Sequence, residues 1–308
     1  MDCPIPRMFA SPAWQKTESG LWANKIAFAD WPCTKEERSG ITGILNAWRI
    51  RGLDCAADLA EVTGRKELAQ QYRAESGKVR EAFTRVLWDA KAGHYAASVI
   101  DGKLSTGPAA HANVLAAAWK IGSPQQVAGA MRYVEERLRL NLDIKTPGRL
   151  ELVYLYYTLI ACYGNGRPDL AEEVIRSHYG LLRAENAWAF GEVLLHTGKG
   201  NGAVCMGCNG APTFFMLERM LGVQPDLHDP VHRVRIEPES ATLEWAEGSV
   251  PHPLGTIHVS WRVKNNRLRL DVRTPEGVQC TIQPVGRLAA LPCDLTLNGT
   301  KREVHAIP

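Results

Sequence analysis

Glu192 is the carboxylate whose surroundings best suit acid–base chemistry. It follows Trp188, Phe190 and Gly191 in the run AENAWAFGEVLL, where a helical region gives way to a loop. An acid held against aromatic rings keeps its proton to higher pH, which is what proton transfer with a neutral substrate requires. Helix-terminal or solvated glutamates also sit at such junctions, so the local pattern leaves both readings open. Asp30-Trp31-Pro32 is a second candidate. The proline holds the residue before it extended. A carboxylate beside a large π face could then grip sugar hydroxyls and stack on a ring, although a tryptophan buried under a loop fits the same residues.

Cys205 and Cys208 form a lone Cys-x-x-Cys in a Gly-rich loop. Such a pair could be half of a zinc site or a redox couple. A second pair at ligand spacing is missing, as is a thioredoxin-like βαβ pattern, so no metal or cofactor is expected. Glu36 and Glu37 are adjacent, cannot face one another as an acid–base pair, and read as the solvated first turn of a helix. His111, just after a Gly-Pro loop, reads as a packed or capping histidine rather than a base. Phosphate-binding, dinucleotide-binding and serine-nucleophile signatures are absent.

The elements that must position these residues change character along the chain. Residues 1–40 are proline-rich and irregular. From Ile41 a 3.6-residue period predicts helices over 41–64, 66–90, from Pro108 through AAHANVLAAAWKIG, and 124–140. Further helices are expected through TPGRLELVYLYYTLIACYG, RPDLAEEVIRSHYGLL and 212–222, each opening with a proline in its first turn. Alternating tight and long loops suit stacked antiparallel helix pairs. HANVLAAAW is apolar on more than one side and predicts a helix buried between layers. From Pro225 the pattern turns to period two, with Asn-Asn, Pro-Glu-Gly and Asn-Gly turns, which predicts a small antiparallel β-sandwich. The domains expected are thus 1–224, mainly α, and 225–308, β, the latter structural.

Lys+Arg 36 against Asp+Glu 33 leaves a net charge of +3, and no long basic run points to nucleic acid. No run approaches a membrane span, and the start carries proline and charge where a secretory signal would be apolar. Eight scattered cysteines read as free thiols and predict a cytoplasmic location. Nine tryptophans add aromatic faces suited to sugar rings.

In order along the chain, FADWP before the ILNAW helix, AAHANVL, TPGRLELVYLYYTLIACYGNGRPDL, WAFGE, CMGCNGAPTFFMLERMLGVQP and VRIEPES…LEWAEG together resemble the bacterial α-L-rhamnosidases of glycoside hydrolase family 78. The resemblance implies an (α/α)6 toroid of helical hairpins followed by a C-terminal β domain. It implies hydrolysis of terminal α-L-rhamnosyl or related residues with inversion, between two carboxylates. It places Glu192 as general base, with Asp30, Trp31, Trp188 and Met206 at the sugar. Met206 stands where the family has a histidine, and Cys208 where it has a tryptophan, so the sugar contacts differ. The family's general acid lies in an Asp-Glu-Arg-type motif well upstream of FADWP. A closed toroid also needs about twelve helices, and the pattern supplies about seven. The expectation is therefore a partial toroid, inactive alone, with a missing N-terminal half or self-association through uncovered helix faces. A non-catalytic carbohydrate-binding or accessory remnant of the same fold is the alternative.

Overall fold

The computed structural model describes residues 14–24, 30, 32–181, 190–191, 206–225 and 233–302, with the side chains of Trp14 and Cys208 left aside. They divide into two compact units, Met1–Asn165 with Gly191–Cys205, and Gly166–Phe190 with Met206–Pro308.

The first unit is built on helices. After the hairpin β1 (Trp14–Lys16) and β2 (Trp22–Asn24) come a one-turn helix, α1 (Lys35–Arg38), and β3 (Ile41–Thr42). Two long helices follow, α2 (Gly43–Val62) and α3 (Lys66–Leu87), packed on one another as a hairpin. Their turn is made by Gly64 at φ 76°, the left-handed region where a Cβ is strained. Short strands that the helical period hides come next: β4 (Trp88–Asp89), β5 (His94–Tyr95), β6 (Ser98–Ile100) and β7 (Lys103–Leu104), with β6 also pairing β3. The second hairpin is α4 (Ala110–Ala118) and α5 (Pro124–Leu140). Ser123 caps α5 in a reciprocal box with Gln126, behind a proline in the first turn.

The run expected to lie between layers does so: Ala110 through Ala117 of α4 are all buried, with α2, α5 and α6 (Leu152–Gly164) packed around them. One expectation fails here. Pro147 does not open α6. The helix starts five residues later with Glu151 at its N-cap, because Pro32, Arg137 and Asn141 hold TPGRL as a loop.

The second unit joins the remaining helices to the strands. α7 (Pro168–Val174) and α8 (Ala211–Phe215) each carry a proline in the first turn, as expected, and each widens into a π turn, Ile175–Tyr179 and Met216–Met220. The buried Glu172 of α7 fastens the 240–242 turn, accepting hydrogen bonds from Ser240 Oγ (2.6 Å), Ala241 N (2.9 Å) and Thr242 N (3.1 Å).

Five strands, β10 (Trp245–His252), β11 (Gly255–Lys264), β12 (Arg267–Arg273), β14 (Cys293–Leu297) and β15 (Thr300–Arg302), make one sheet in that order. A second sheet has the order β13 (Cys280–Ile282), β9 (Val234–Ile236), β8 (Val223–Pro225). Both sheets feed one apolar core, with Val223, Val234 and Ile236 on one side and Ile257, Val259, Trp261, Leu270 and Val272 on the other.

The sheets are mixed rather than purely antiparallel. β12 pairs β14 in parallel, and β13 pairs β9 in parallel. The turn chemistry shows why. Asn265-Asn266 and Asn298-Gly299 have positive φ throughout and close true hairpins. Pro275-Glu276-Gly277 instead sends the chain into the other sheet, so it returns beside β12 running the same way. Among the described residues, no helix is long and apolar enough to cross a membrane.

Candidate functional site

The polar centre of the first unit is His111, in the first turn of α4 and wholly buried. Its Nδ1 lies 2.7 Å from Glu37 Oε1 and its Nε2 3.2 Å from Asp30 Oδ2. Glu37 is set by α1. Thr34 is the N-cap, its N–H donates to Glu37 Oε2 (2.9 Å), and the Glu37 N–H returns to Thr34 Oγ1 (3.4 Å). One carboxylate oxygen thus fastens the cap while the other faces the imidazole. Glu37 is only 1% exposed, which corrects the expectation of a solvated first turn; its neighbour Glu36 is half-buried. The capping box turns α1 so that its N3 side chain points inward, toward the His111 ring.

Asp30 is 4% exposed. Besides His111 its Oδ2 meets the Glu151 N–H (3.4 Å), and its backbone carbonyl accepts from Arg38 Nη2 (2.8 Å). The TPGRL loop closes over the same centre. Gly148 N donates to Pro32 O (3.0 Å), Arg137 Nη2 to Pro147 O (2.6 Å), and Asn141 brackets Leu150 through both its backbone groups. Gly148 has φ 62°, and a Cβ there would fall 2.8 Å from Pro108 Cβ and 3.0 Å from Glu37 Oε2, so the backbone needs glycine. Arg149 pairs with the buried Glu151, and the Tyr154 ring meets His111 edge-on at 4.4 Å.

Burial works against charge on both His111 and Glu37, and their mutual attraction wins. Against its desolvation, Glu37 and hydrogen bonds to Asp30, Cys33 and Glu37 hold the imidazole pKa well above the ordinary histidine value. Against its own desolvation, Glu37 is held below the ordinary carboxylate value by His111 and by the Thr34 cap. The group is an imidazolium between two carboxylates. Cys33 Sγ, a Glu37 oxygen and a His111 nitrogen lie within 4.8 Å of one another, close enough to share a cation. Both ring nitrogens already face carboxylates, and the raised pKa keeps a proton where a metal would need a lone pair, so the donor set fits a metal poorly.

The arrangement holds a segment in place rather than passing protons to solvent. Asp30 and Pro32 are both tied down, and Trp31 lies between them in the chain. Of the residues singled out in the sequence, Glu192, Trp31, Trp188 and Cys205 lie outside the described residues. Asp30 and Met206 are described but belong to different compact units. Met206 is half-buried, and its N–H donates to Phe190 O at 2.6 Å. Glu37 and His111 are the central residues: the sequence reading of His111 as packed agrees with its burial, while Glu37 reads as solvated in the sequence and is buried. The Thr-x-x-Glu capping signature at Thr34–Glu37 and a histidine on a helix with no polar face were the available signals.

The chain is similar in fold to the family 78 rhamnosidase of Bacillus sp. GL1, with a TM-score of 0.75 and 22% identity over 92% of this chain and 30% of that one. It is also similar to the α-L-rhamnosidase of Streptomyces avermitilis solved with L-rhamnose, with a TM-score of 0.66 and 14% identity over 87% and 25% of the two chains. The chain thus spans less than a third of the length of these relatives. No curated protein matches it. Residues 222–287 match the model of the bacterial alpha-L-rhamnosidase C-terminal domain. Residues 7–178, more than half of the chain, match that of the bacterial alpha-L-rhamnosidase 6 hairpin glycosidase domain, and the protein belongs to this family of glycoside hydrolases.

Proposed function

We propose that this chain forms the C-terminal part of an inverting α-L-rhamnosidase-type glycoside hydrolase acting on terminal α-L-rhamnosyl or related residues. The observation that carries this reading is the match to both family domains in their natural order, on a fold shared with α-L-rhamnosidases. In this reading the chain contributes part of an (α/α)6 toroid through residue 224 and a sandwich-like β domain from 225. Glu192 is the general base that activates water opposite the leaving group. Asp30, Trp31, Trp188 and Met206 shape the sugar subsite. The second carboxylate, the general acid, comes from outside these residues, so the 308-residue chain alone does not turn over substrate. The thiols of Cys33, Cys55, Cys280 and Cys293, in no disulfide among the described residues, suit a reducing, cytoplasmic setting.

The test is hydrolysis of p-nitrophenyl α-L-rhamnoside, followed by proton NMR of the released sugar. A chain spanning the full length of the relatives should release the β anomer first, and the 308-residue chain should release none. Release of the α anomer first, or equal turnover by the shorter chain, would overturn the reading.

A further inference from the structure

The second unit carries a site that the hydrolytic reading does not use. The central strands of the five-stranded sheet alternate. Val250, Ile257, Val259, Trp261, Leu270 and Val272 face the core, so their neighbours in sequence face outward. Strand register arranges those outward residues in rows. Trp245 lies beside Arg262, Glu247 beside Ser260 with Asp271 next beyond it, and Ser249 beside His258 with Arg273 next beyond it. Trp245 is 54% exposed, unusual for the largest apolar side chain on an otherwise polar face. It borders an open polar cleft of about 580 Å³, whose walls include Glu247, Ser260, Asp271 and Arg273. On its other side it borders an apolar cleft of about 330 Å³ lined by Leu217, Met220 and Leu243.

We propose that this face binds a neutral saccharide, one pyranose ring stacking on the Trp245 indole with its hydroxyls directed to Glu247, Ser260 and Asp271. An indole supplies a flat apolar surface of the kind that the C–H face of a sugar covers. Around it stand donors and acceptors of both signs. Arg262 lies over the Trp245 ring at 5.5 Å, Arg273 Nε is 3.2 Å from Asp271 Oδ1, and Ser249 Oγ is 2.7 Å from His258 Nδ1. Glu247, Asp271 and Arg273 line the cleft, and Arg262 stands at its edge over the indole, so the walls offer both donors and acceptors. A row of paired donors and acceptors matches a ligand whose hydroxyls do both. The adjoining apolar cleft can take a less polar edge of the same ring or its neighbour. The sheet is pinned to the core through Trp261, whose Nε1 donates to Met220 O at 2.8 Å, so the platform is rigid before a ligand arrives. The site is independent of Glu192 and stands or falls apart from the hydrolase reading.

The experiment is a titration of the 308-residue chain with L-rhamnose, and separately with D-mannose, followed in amide and indole NMR spectra. Saturable shifts of the Trp245 indole and of Glu247, Ser260 and Asp271 are expected with a dissociation constant in the millimolar range. Trp245→Ala should weaken this binding by about tenfold or more, Asp271→Asn by a smaller factor, and Trp245→Phe should retain most of it. Trp245 and Asp271 lie on the solvent face, so unchanged unfolding curves for both variants are expected and confirm that the fold persists. Absence of saturable shifts on this face with either sugar, or full binding in both Trp245→Ala and Asp271→Asn, would overturn the proposal.

Discussion

Replacing His111 by Gln removes the cation from the centre of the first unit while keeping a side chain of similar length. Two carboxylates, Asp30 and Glu37, are then left buried and facing one another across a neutral amide. Breaking a buried pair by deleting one partner costs about 3–5 kcal/mol, because an uncompensated charge stays in a medium that solvates it poorly. For a unit of this size each kcal/mol is worth roughly 2–4 °C, so the midpoint of its unfolding should fall by roughly 6–20 °C. Adding Glu37→Gln to His111→Gln removes one stranded carboxylate, so the double variant should lose clearly less than the two single losses summed. Urea unfolding of the wild-type chain and the three variants, followed by far-ultraviolet circular dichroism, measures all four corners. A loss under about 1 kcal/mol for His111→Gln, or strict additivity in the double variant, would refute the account of this centre as a charge-balanced cluster.

The same cluster sets a pH window for the first unit. His111, with its pKa raised by folding, contributes fully below the ordinary histidine value and loses that contribution as pH rises through its folded value. Glu37, with its pKa lowered, contributes above the ordinary carboxylate value and loses it as pH falls through its folded value; unfolding midpoints across pH should plateau between the two in the wild type and lose both shoulders in His111→Gln. Gly148→Ala forces a Cβ against Pro108 and Glu37 at positive φ and should cost about 1–3 kcal/mol in urea unfolding, with Gly166→Ala, where φ is also positive but nothing lies within 4 Å, costing less. In the second unit the buried His178 has its pKa pushed down to about 4 by burial, and its Nε2 has no hydrogen-bond partner among the described residues. The unfolded chain takes up that proton first, so the second unit should lose about 3 kcal/mol as pH falls from neutral to about 4, and His178→Phe should flatten this limb of the pH–stability curve.

Much of the fold was legible because it rests on local chemistry. Helix boundaries at Gly64, Pro124, Pro168 and Pro212 follow from where a proline can start a turn and a glycine can end one. The buried character of α4 was readable from its composition, since no face of HANVLAAA is polar except at His111 and Asn113. What failed was set by contacts distant in sequence. Glu37 lies 74 residues from His111, and Asp30 lies 81, so nothing near Glu37 signals that its charge is buried. Pro147 looked like a helix start, but Pro32, Arg137 and Asn141 hold its segment as a loop. The β region showed its strands by period and its hairpins by Asn-Asn and Asn-Gly. Period two says nothing of which strand lies next to which, and the parallel pairs appeared only with the topology.

Glu192 is the residue on which the functional account turns, and one substitution tests it. In a chain spanning the full length of the relatives, Glu192→Gln keeps the size and hydrogen bonding of the side chain and removes its ability to take a proton from water. The rate of p-nitrophenyl α-L-rhamnoside hydrolysis should fall by about a hundredfold or more with KM little changed. A rate within about threefold of the wild type would contradict the account and take Glu192 out of the mechanism.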